Sequence, residues 1–272
     1  MKIVVSGLGI IGASLCASLR AAGYPVYGKN RSADVVAYAL EHGMIDGEAR
    51  SFEDADVVFL ALPPAVTLRE LDTAQFKDGA IVADICGVKG VLEKLVYSRP
   101  RNYRYVGTHP MAGKETSGIR SASATLFKGA NFIVTSCENT DPEALETVET
   151  LARAMGFGRI VHCSAAEHDR KIAITSQLAH IVSNAYVKSP YAAKSSGFTG
   201  GSFQDMTRIA GVDENLWTEL YFYNRDALLE ETEGLIARLC EYRDALAAND
   251  EEKMRALLRE GREKREEIKR GR

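Results

Sequence analysis

The first twelve residues contain the pattern that most restricts the fold of this chain. Residues 3–5 are β-branched, as in a short buried strand, and Gly7-x-Gly9-x-x-Gly12 then opens a stretch rich in Ala and Leu. In this strand–turn–helix context, Gly7 allows a tight turn, Gly9 lets the backbone approach a pyrophosphate, and Gly12 lets helix and strand pack closely. Because a helix N-terminus offers free N–H groups to phosphates, the pattern predicts a dinucleotide site.

The same N-terminal pattern is compatible with two other interpretations. The first is a plain turn between a strand and a helix. The second is a secretory signal, since Lys2 precedes an apolar stretch. The glycines and the β-branched start argue against a signal.

The composition restricts partners and compartment. The net charge of -3 gives no reason to expect a nucleic acid or a membrane surface as partner. No apolar run approaches the ~18 residues of a transmembrane helix. The five cysteines are scattered and odd in number, without a CxxC pair, which predicts reduced thiols in the cytoplasm and no metal site.

Strands and helices alternate through the first 160 residues. Further short strands are predicted at residues 25–28, 57–61, 80–83, 103–106, 132–135 and 159–162. Apolar strands separated by helices favour an α/β fold with a Rossmann-like, doubly wound, mostly parallel sheet. We assign residues 1–163 to this dinucleotide-binding domain.

The character of the sequence changes near Ser164. Ser164-x-x-Glu167 is a capping-box pattern that predicts a long helix to about residue 187, and the charged tail at 251–272 also favours a helix. We therefore assign residues 164–272 to an all-helical domain. Its apolar stripe is typical either of a dimer surface or of burial within one chain.

The segment after the second predicted strand bears on the choice of dinucleotide. A carboxylate that binds the ribose of NAD is expected there, but the sequence reads Lys29-Asn30-Arg31-Ser32. Arg31 and Ser32 suit a 2′-phosphate, so we favour NADP. Alternatively, Arg31 stacks on the adenine and Asn30 serves NAD. The residues expected to contact the cofactor are Gly7, Leu8, Gly9, Ile10, Ile11, Gly12, Asn30, Arg31, Ser32, Leu62 and Pro63.

His109 is the candidate base. It follows a predicted strand and precedes Pro110, which favours an extended conformation. A histidine beside a nicotinamide can accept a proton from a hydroxyl as hydride leaves the carbon. A structural histidine in a loop is the alternative, and His162 and His168 are interpreted as structural or surface residues.

Two further groups of polar residues are candidates for substrate contacts. Gln177, His180 and Asn184 share one face of the predicted long helix, which indicates either a cleft between domains or a solvent face. Arg208 follows a glycine-rich turn and is suited to a substrate carboxylate or to an ordinary surface ion pair.

Three stretches together resemble the prephenate dehydrogenase family. They are Thr-His-Pro-Met-Ala-Gly-Lys-Glu-x-Ser-Gly at 108–118, Glu-His-Asp at 167–169 with His180 following, and Gly-Gly-x-Phe-x-Asp-x-Thr-Arg-Ile-Ala at 200–210. The resemblance implies a Rossmann-like domain followed by a helical dimerisation domain. It also implies oxidative decarboxylation of prephenate to 4-hydroxyphenylpyruvate, a step towards tyrosine.

The resemblance also implies roles for individual residues. His109 matches the catalytic histidine that hydrogen-bonds the ring C4 hydroxyl, His180 matches a substrate-binding histidine, and Arg208 matches an arginine that binds a substrate carboxylate. Residues that match the mouth of that site are Glu115, Asp205 and Trp217.

The chain departs from the family pattern at two positions. Gly87 stands where many members have a serine that orients the C4 hydroxyl, and Gln177 stands where some have a histidine. Arogenate therefore stays open as the substrate. The rival interpretations are a hydroxyacid or imine dehydrogenase and, outside enzymes, an NADP-sensing regulatory protein.

Overall fold

The computed structural model describes residues 1–113 and 116–270, and its elements alternate between strands and helices before becoming entirely helical. In chain order they are β1 (Ile3–Ser6), α1 (Ile10–Ala21), β2 (Val26–Lys29), α2 (Ala33–Glu41), β3 (Gly47–Glu48), β4 (Val57–Leu60), α3 (Pro64–Thr73), β5 (Ile81–Asp84), α4 (Gly90–Val96), β6 (Arg104–Met111), β7 (Asn131–Thr135), α5 (Pro142–Ala154), β8 (Arg159–Cys163), α6 (Ala165–Ile172), a π-helical segment (Ala173–Gln177), α7 (Leu178–Tyr186), α8 (Gly201–Thr207), α9 (Glu214–Tyr223), α10 (Arg225–Ala247) and α11 (Glu251–Arg270).

The sheet has the strand order β3-β2-β1-β4-β5-β6-β7-β8. All neighbouring strands are parallel except β6 and β7, which pair antiparallel. The order reverses between β1 and β4, and ligands of such sheets bind outside the carboxyl ends of the strands at that point. The fold therefore directs attention to the segments that follow β1, β2, β4, β5 and β6.

Both faces of the sheet are buried. Side chains alternate along each strand, so Ile3 and Val5 join one apolar cluster while Val4 joins the other. Helices α1, α2 and α5 cover the first face, and α3 and α4 cover the second. Principal helix residues in these clusters are Leu15, Leu19, Val36, Val148 and Leu151 on the first face, and Leu71, Leu92 and Val96 on the second.

The helix predicted from Ser164 begins as expected. The Ser164 hydroxyl accepts a hydrogen bond from the Glu167 backbone N–H at 3.1 Å, which caps α6. The predicted single helix is, however, interrupted by the π-helical segment Ala173–Gln177. This segment shifts the residues after it around the helix axis, so the face predicted from 3.6-residue periodicity changes there.

The chain forms two compact units, Met1–Asn224 and a second that begins at Arg225. The first unit contains the sheet with α1 to α9. In the second unit, α10 and α11 are joined by a turn at Asn249, which has a positive φ of 51°. Within that unit the Tyr242 hydroxyl donates to the Leu257 carbonyl at 3.4 Å.

The predicted fold class is confirmed. The strand β3 was missed, and the domain boundary predicted after residue 163 stays a prediction. Within residues 1–113 and 116–270 no helix is long and apolar enough to cross a membrane. The five cysteines are free thiols.

Candidate active site

The glycine-rich loop is packed so tightly that two of its glycines have no room for a side chain. Gly7 has a φ of 92°, and a Cβ there would lie 2.1 Å from the Ala61 carbonyl oxygen. A Cβ on Gly12 would lie 1.8 Å from the Gly7 carbonyl oxygen. A Cβ on Gly9 would meet no atom within 4 Å, so the backbone at Gly9 faces open space. This arrangement fits a cradle for a pyrophosphate at the start of α1.

Asn30 holds this loop in place. Its side-chain Oδ1 accepts a hydrogen bond from the Leu8 backbone N–H at 3.0 Å, which ties the loop after β1 to the end of β2. The Leu8 side chain is itself buried in the core. Ile10 and Ile11 begin α1 and are partly exposed.

A cavity of about 870 Å³ lies beside the loop. It brings together several residues predicted to contact a cofactor, namely Gly7, Asn30, Arg31, Ser32, Leu62 and Pro63. Its charged lining residues are Lys29, Arg31, Glu48, Arg50, Arg69 and Glu70. Arg69 pairs with Glu70 at 3.6 Å, and the Lys29 ammonium lies 4.8 Å from the centre of the Phe52 ring.

Among the residues the structure covers, Arg31 and Arg50 are the cations of this cavity that contact neither a carboxylate nor an aromatic ring. Both are exposed. The sequence interpretation missed Arg50 because it missed β3, the two-residue strand that brings Arg50 to the same sheet edge as Arg31.

His109 lies near the end of β6, on the strand that pairs with β5 and β7. Its Nδ1 is 2.9 Å from Nε2 of His168, and Nδ1 of His168 is 2.7 Å from Oδ1 of Asp169. His168 is 1% exposed, so of the two interpretations offered for it, the surface one is wrong and the structural one remains. The partner was invisible in sequence because α6 brings it to β6 from 59 positions away.

The other ring nitrogen of His109 points towards Gly87. A Cβ built on Gly87 would lie 3.9 Å from Nε2 of His109 and 3.4 Å from the Leu220 side chain. Nε2 of His109 has no hydrogen-bond partner within the part of the chain that is described. Gly87 therefore borders the edge of the His109 ring that carries Nε2, on a residue that is partly exposed.

A buried ion pair lies behind His109. The Lys89 ammonium and the Asp84 carboxylate bond each other, and both side chains are 0% exposed. Asp84 also accepts hydrogen bonds from the Tyr105 hydroxyl and the Cys86 backbone N–H, each at 2.7 Å. Burial raises the pKa of Tyr105, which keeps its hydroxyl a neutral donor.

The environment keeps the two histidines neutral. Burial, the neighbouring His168 and the charge of Lys89 hold the pKa of His109 well below its usual value. Burial also lowers the pKa of His168, although its bond to Asp169 opposes that shift. A neutral imidazole at physiological pH has one nitrogen free to act as an acceptor.

His180 has one hydrogen-bonded ring nitrogen and a tilted aromatic ring against it. Its Nδ1 lies 2.8 Å from the Ile209 carbonyl, and its ring centre lies 3.9 Å from that of Trp217. Because Ile209 follows Arg208 in the chain, this bond also places Arg208 near His180. Burial lowers the pKa of His180, the bond to Ile209 opposes that shift, and the charge of Arg208 adds to it. Arg208 itself is exposed at the end of α8. The structure therefore brings together the predicted residues His180, Arg208 and Trp217.

Asn184, which was predicted to share a face of the long helix with Gln177 and His180, donates to the Ala210 carbonyl at 3.2 Å. Its neighbour Ser183 donates to the Met206 carbonyl at 2.7 Å. With His180, these side chains attach the segment around the end of α8 to α7. They thereby fix the backbone on which Arg208 is carried.

Gln177 is committed to internal hydrogen bonds. Its Nε2 donates to the Leu220 carbonyl at 3.1 Å, and its Oε1 accepts from Asn224 at 2.7 Å. Its side chain is buried, with 2% of the residue exposed. It borders the site through Leu220, whose side chain contacts the Gly87 position. The predicted residue Glu115 lies outside the described residues.

Comparisons with known proteins identify the family of the chain. The prephenate dehydrogenase nucleotide-binding domain model matches residues 15–161, and the prephenate dehydrogenase dimerization domain model matches residues 164–260. A prephenate dehydrogenase from Bacillus subtilis is 29% identical over 267 residues, which cover 93% of this chain and 72% of that protein.

Two crystal structures have similar folds. Prephenate dehydrogenase from Aquifex aeolicus, solved with hydroxyphenyl propionate and NAD+, superposes with a TM-score of 0.86 at 28% identity and covers 98% of both chains. Arogenate dehydrogenase from Synechocystis superposes with a TM-score of 0.82 at 28% identity, covering 98% of this chain and 100% of that one. The chain belongs to the prephenate dehydrogenase family.

Proposed function

We propose that the chain is a prephenate dehydrogenase in which His109 accepts the hydrogen of the substrate C4 hydroxyl. The observation that carries the proposal is the Nε2 atom of His109, which lacks a described partner and borders Gly87 at the carboxyl end of the sheet. His180 and Arg208 are proposed to bind the substrate. Gln177 is proposed to support the site through Leu220 and Asn224, because its amide already bonds both.

The reaction requires the protein mainly to position C4 of the substrate and to polarise its C4 hydroxyl. Loss of hydride from C4 and of the ring carboxylate as carbon dioxide leaves an aromatic ring that keeps its hydroxyl, so no proton is released overall. The nicotinamide ring, when bound, accepts that hydride. A neutral His109 stabilises the positive charge that develops at C4 by accepting a hydrogen bond from the hydroxyl. The low pKa of His109 keeps this acceptor available at neutral pH.

The role of His109 is tested by replacing it with Asn. We expect His109→Asn to lower kcat for prephenate by ~10²–10⁴-fold, the range for a general base, while dinucleotide affinity is retained. His162→Asn is the matched control, because His162 is half-exposed and pairs with Glu149 away from this site. Unchanged turnover in His109→Asn would reject the proposed role.

For the dinucleotide, we propose a preference for NADP over NAD. The support is the pair Arg31 and Arg50, two arginines without a carboxylate partner beside the loop after β2. An arginine fork suits phosphate oxygens. Replacing both with Ala should raise the KM for NADP strongly and leave that for NAD nearly unchanged. Arg153→Ala, at an exposed position of α5, is the control, and an equal loss for both dinucleotides would contradict the preference.

Arogenate is the second candidate substrate. The similarity to the Synechocystis arogenate dehydrogenase supports testing it, and prephenate is preferred because the named relatives include prephenate dehydrogenases. NADPH formation with each substrate at equal concentration distinguishes them. A kcat/KM higher for arogenate would reverse the assignment.

We also propose that the chain acts as a homodimer, because residues 164–260 match a dimerization domain. Light scattering should give twice the mass of one chain. A mass equal to one chain at the concentrations used for the assay would contradict this.

A further inference from the structure

A chain of hydrogen bonds runs from a fixed carboxylate to the proposed base. Asp169 receives backbone N–H donors on both oxygens, from Lys89 to Oδ1 and from Gly90 to Oδ2, each at 2.8 Å. Its own backbone carbonyl accepts a hydrogen bond from Asn224 at 2.8 Å. Asp169 is therefore held at its side chain and at its main chain, and its carboxylate acts only as an acceptor.

This fixed acceptor determines where the protons of both histidines lie. Because Asp169 Oδ1 can only accept, Nδ1 of His168 must donate to it across 2.7 Å. In neutral His168, Nε2 then has a lone pair, and it can only accept. Nδ1 of His109, 2.9 Å away, must donate to it. In neutral His109 the remaining nitrogen, Nε2, is then without a proton.

We infer that His168 and Asp169 are positioning residues that fix the tautomer of His109, so that its Nε2 presents a lone pair to the substrate hydroxyl. This inference rests on the proposed function. An isolated imidazole exchanges its proton between the two nitrogens, whereas only one tautomer can accept from a hydroxyl at Nε2. A histidine held in the wrong tautomer meets the hydroxyl with a second donor.

His168 itself is too deeply buried to meet a substrate. It is 1% exposed, and both its ring nitrogens are already bonded within the protein. Its effect on the reaction must therefore pass through His109. The overall reaction releases no proton, so the chain of hydrogen bonds has to orient the acceptor and does not have to export a proton.

The test compares two replacements of the same residue. His168→Leu removes the acceptor for His109 Nδ1, whereas His168→Gln keeps a carbonyl oxygen that can accept there. We expect His168→Leu to lower kcat for prephenate on the order of 10²-fold, as expected for a base in the wrong tautomer, with little change in the KM values. His168→Gln should restore most of that loss. His162→Leu is the control for a half-exposed histidine.

The pH profile separates positioning from a structural effect. The titratable groups around the pair are His168 and Asp169 on α6, Lys89 and Asp84 after and within β5, and Tyr105 on β6. Because His168 lowers the pKa of His109, His168→Leu should move the acid limb of kcat to higher pH. A merely structural effect would lower kcat by the same factor at every pH.

The outcomes remain distinguishable. If His168→Leu does not fold, His168→Phe decides, because it keeps an aromatic ring of similar shape and removes the acceptor for Nδ1 of His109; a folded His168→Phe should lose kcat in the same way. Wild-type kcat in a folded His168→Leu or His168→Phe, beside an inactive His109→Asn, would overturn the inference and leave the proposed function intact. Full activity in His109→Asn would instead overturn the proposed function.

Discussion

The buried ion pair between Lys89 and Asp84 leads to a quantitative prediction. Both side chains are 0% exposed, and the Lys89 backbone N–H also holds Asp169. Replacing Lys89 with Met keeps the apolar stem and removes the charge. The Asp84 carboxylate then stays buried and, among the residues that the structure describes, keeps two neutral donors, the Tyr105 hydroxyl and the Cys86 N–H.

The expected cost follows from that count. Removing one member of a buried pair costs about 3–5 kcal/mol, because the remaining charge is uncompensated. Because the two neutral donors still stabilise the Asp84 charge, we expect Lys89→Met to lower the unfolding free energy by about 3 kcal/mol, the lower end of this range. For a unit of this size, that free energy corresponds to a fall in Tm of about 6–12 °C. The double variant Asp84→Asn/Lys89→Met should lose less, since neither charge remains.

Urea and thermal unfolding measure these differences, with Lys128→Met at an exposed position as the control. A second readout is kinetic. Because Lys89 lowers the pKa of His109, Lys89→Met should move the acid limb of kcat to higher pH. A loss below about 1 kcal/mol, or a double variant less stable than Lys89→Met, would refute the reasoning.

Two further predictions concern the glycine-rich loop and the pH dependence of stability. Gly12→Ala places a Cβ 1.8 Å from the Gly7 carbonyl oxygen, so it should lower both Tm and dinucleotide affinity. Gly9→Ala should weaken dinucleotide binding, measured by fluorescence titration, without lowering Tm. An unchanged affinity in Gly9→Ala would place the pyrophosphate elsewhere. The folded-state pKa values of His109 and His168 are lowered, so the unfolded chain binds more protons below about pH 6.5. The unfolding free energy should therefore be constant above that pH and fall as the pH drops through it, and His109→Asn should flatten that slope. A constant unfolding free energy down to pH 5 would contradict the shifts.

Local patterns in the sequence predicted much of the fold. The Gly7–Gly12 turn and the cap at Ser164 each depend on residues within a few positions of each other, and both were predicted correctly. The strand β3 was missed because two residues, Gly47 and Glu48, carry no periodicity and are extended only through pairing with β2. Arg50 was missed with it.

The site was harder to predict because its partners are distant in sequence. His109 was singled out by its place after a strand, but its bond to His168 depends on how α6 packs beside β6. The π-helical segment was also missed, since a regular helix was assumed through Gln177. Gln177 consequently faces Asn224 and Leu220, which no pattern in the sequence indicates. The residues that hold the site in place are thus identified by their contacts in the folded structure and not by sequence motifs.

The state of the His109 ring is the most direct test of the account. Two-bond ¹H–¹⁵N NMR spectra of histidine-labelled protein at pH 7, assigned with His109→Asn, report which ring nitrogen carries the proton. We predict a neutral ring with its proton on Nδ1 and a lone pair on Nε2. A proton on Nε2, or a doubly protonated ring at that pH, would contradict the proposal that His109 accepts the hydrogen of the substrate hydroxyl.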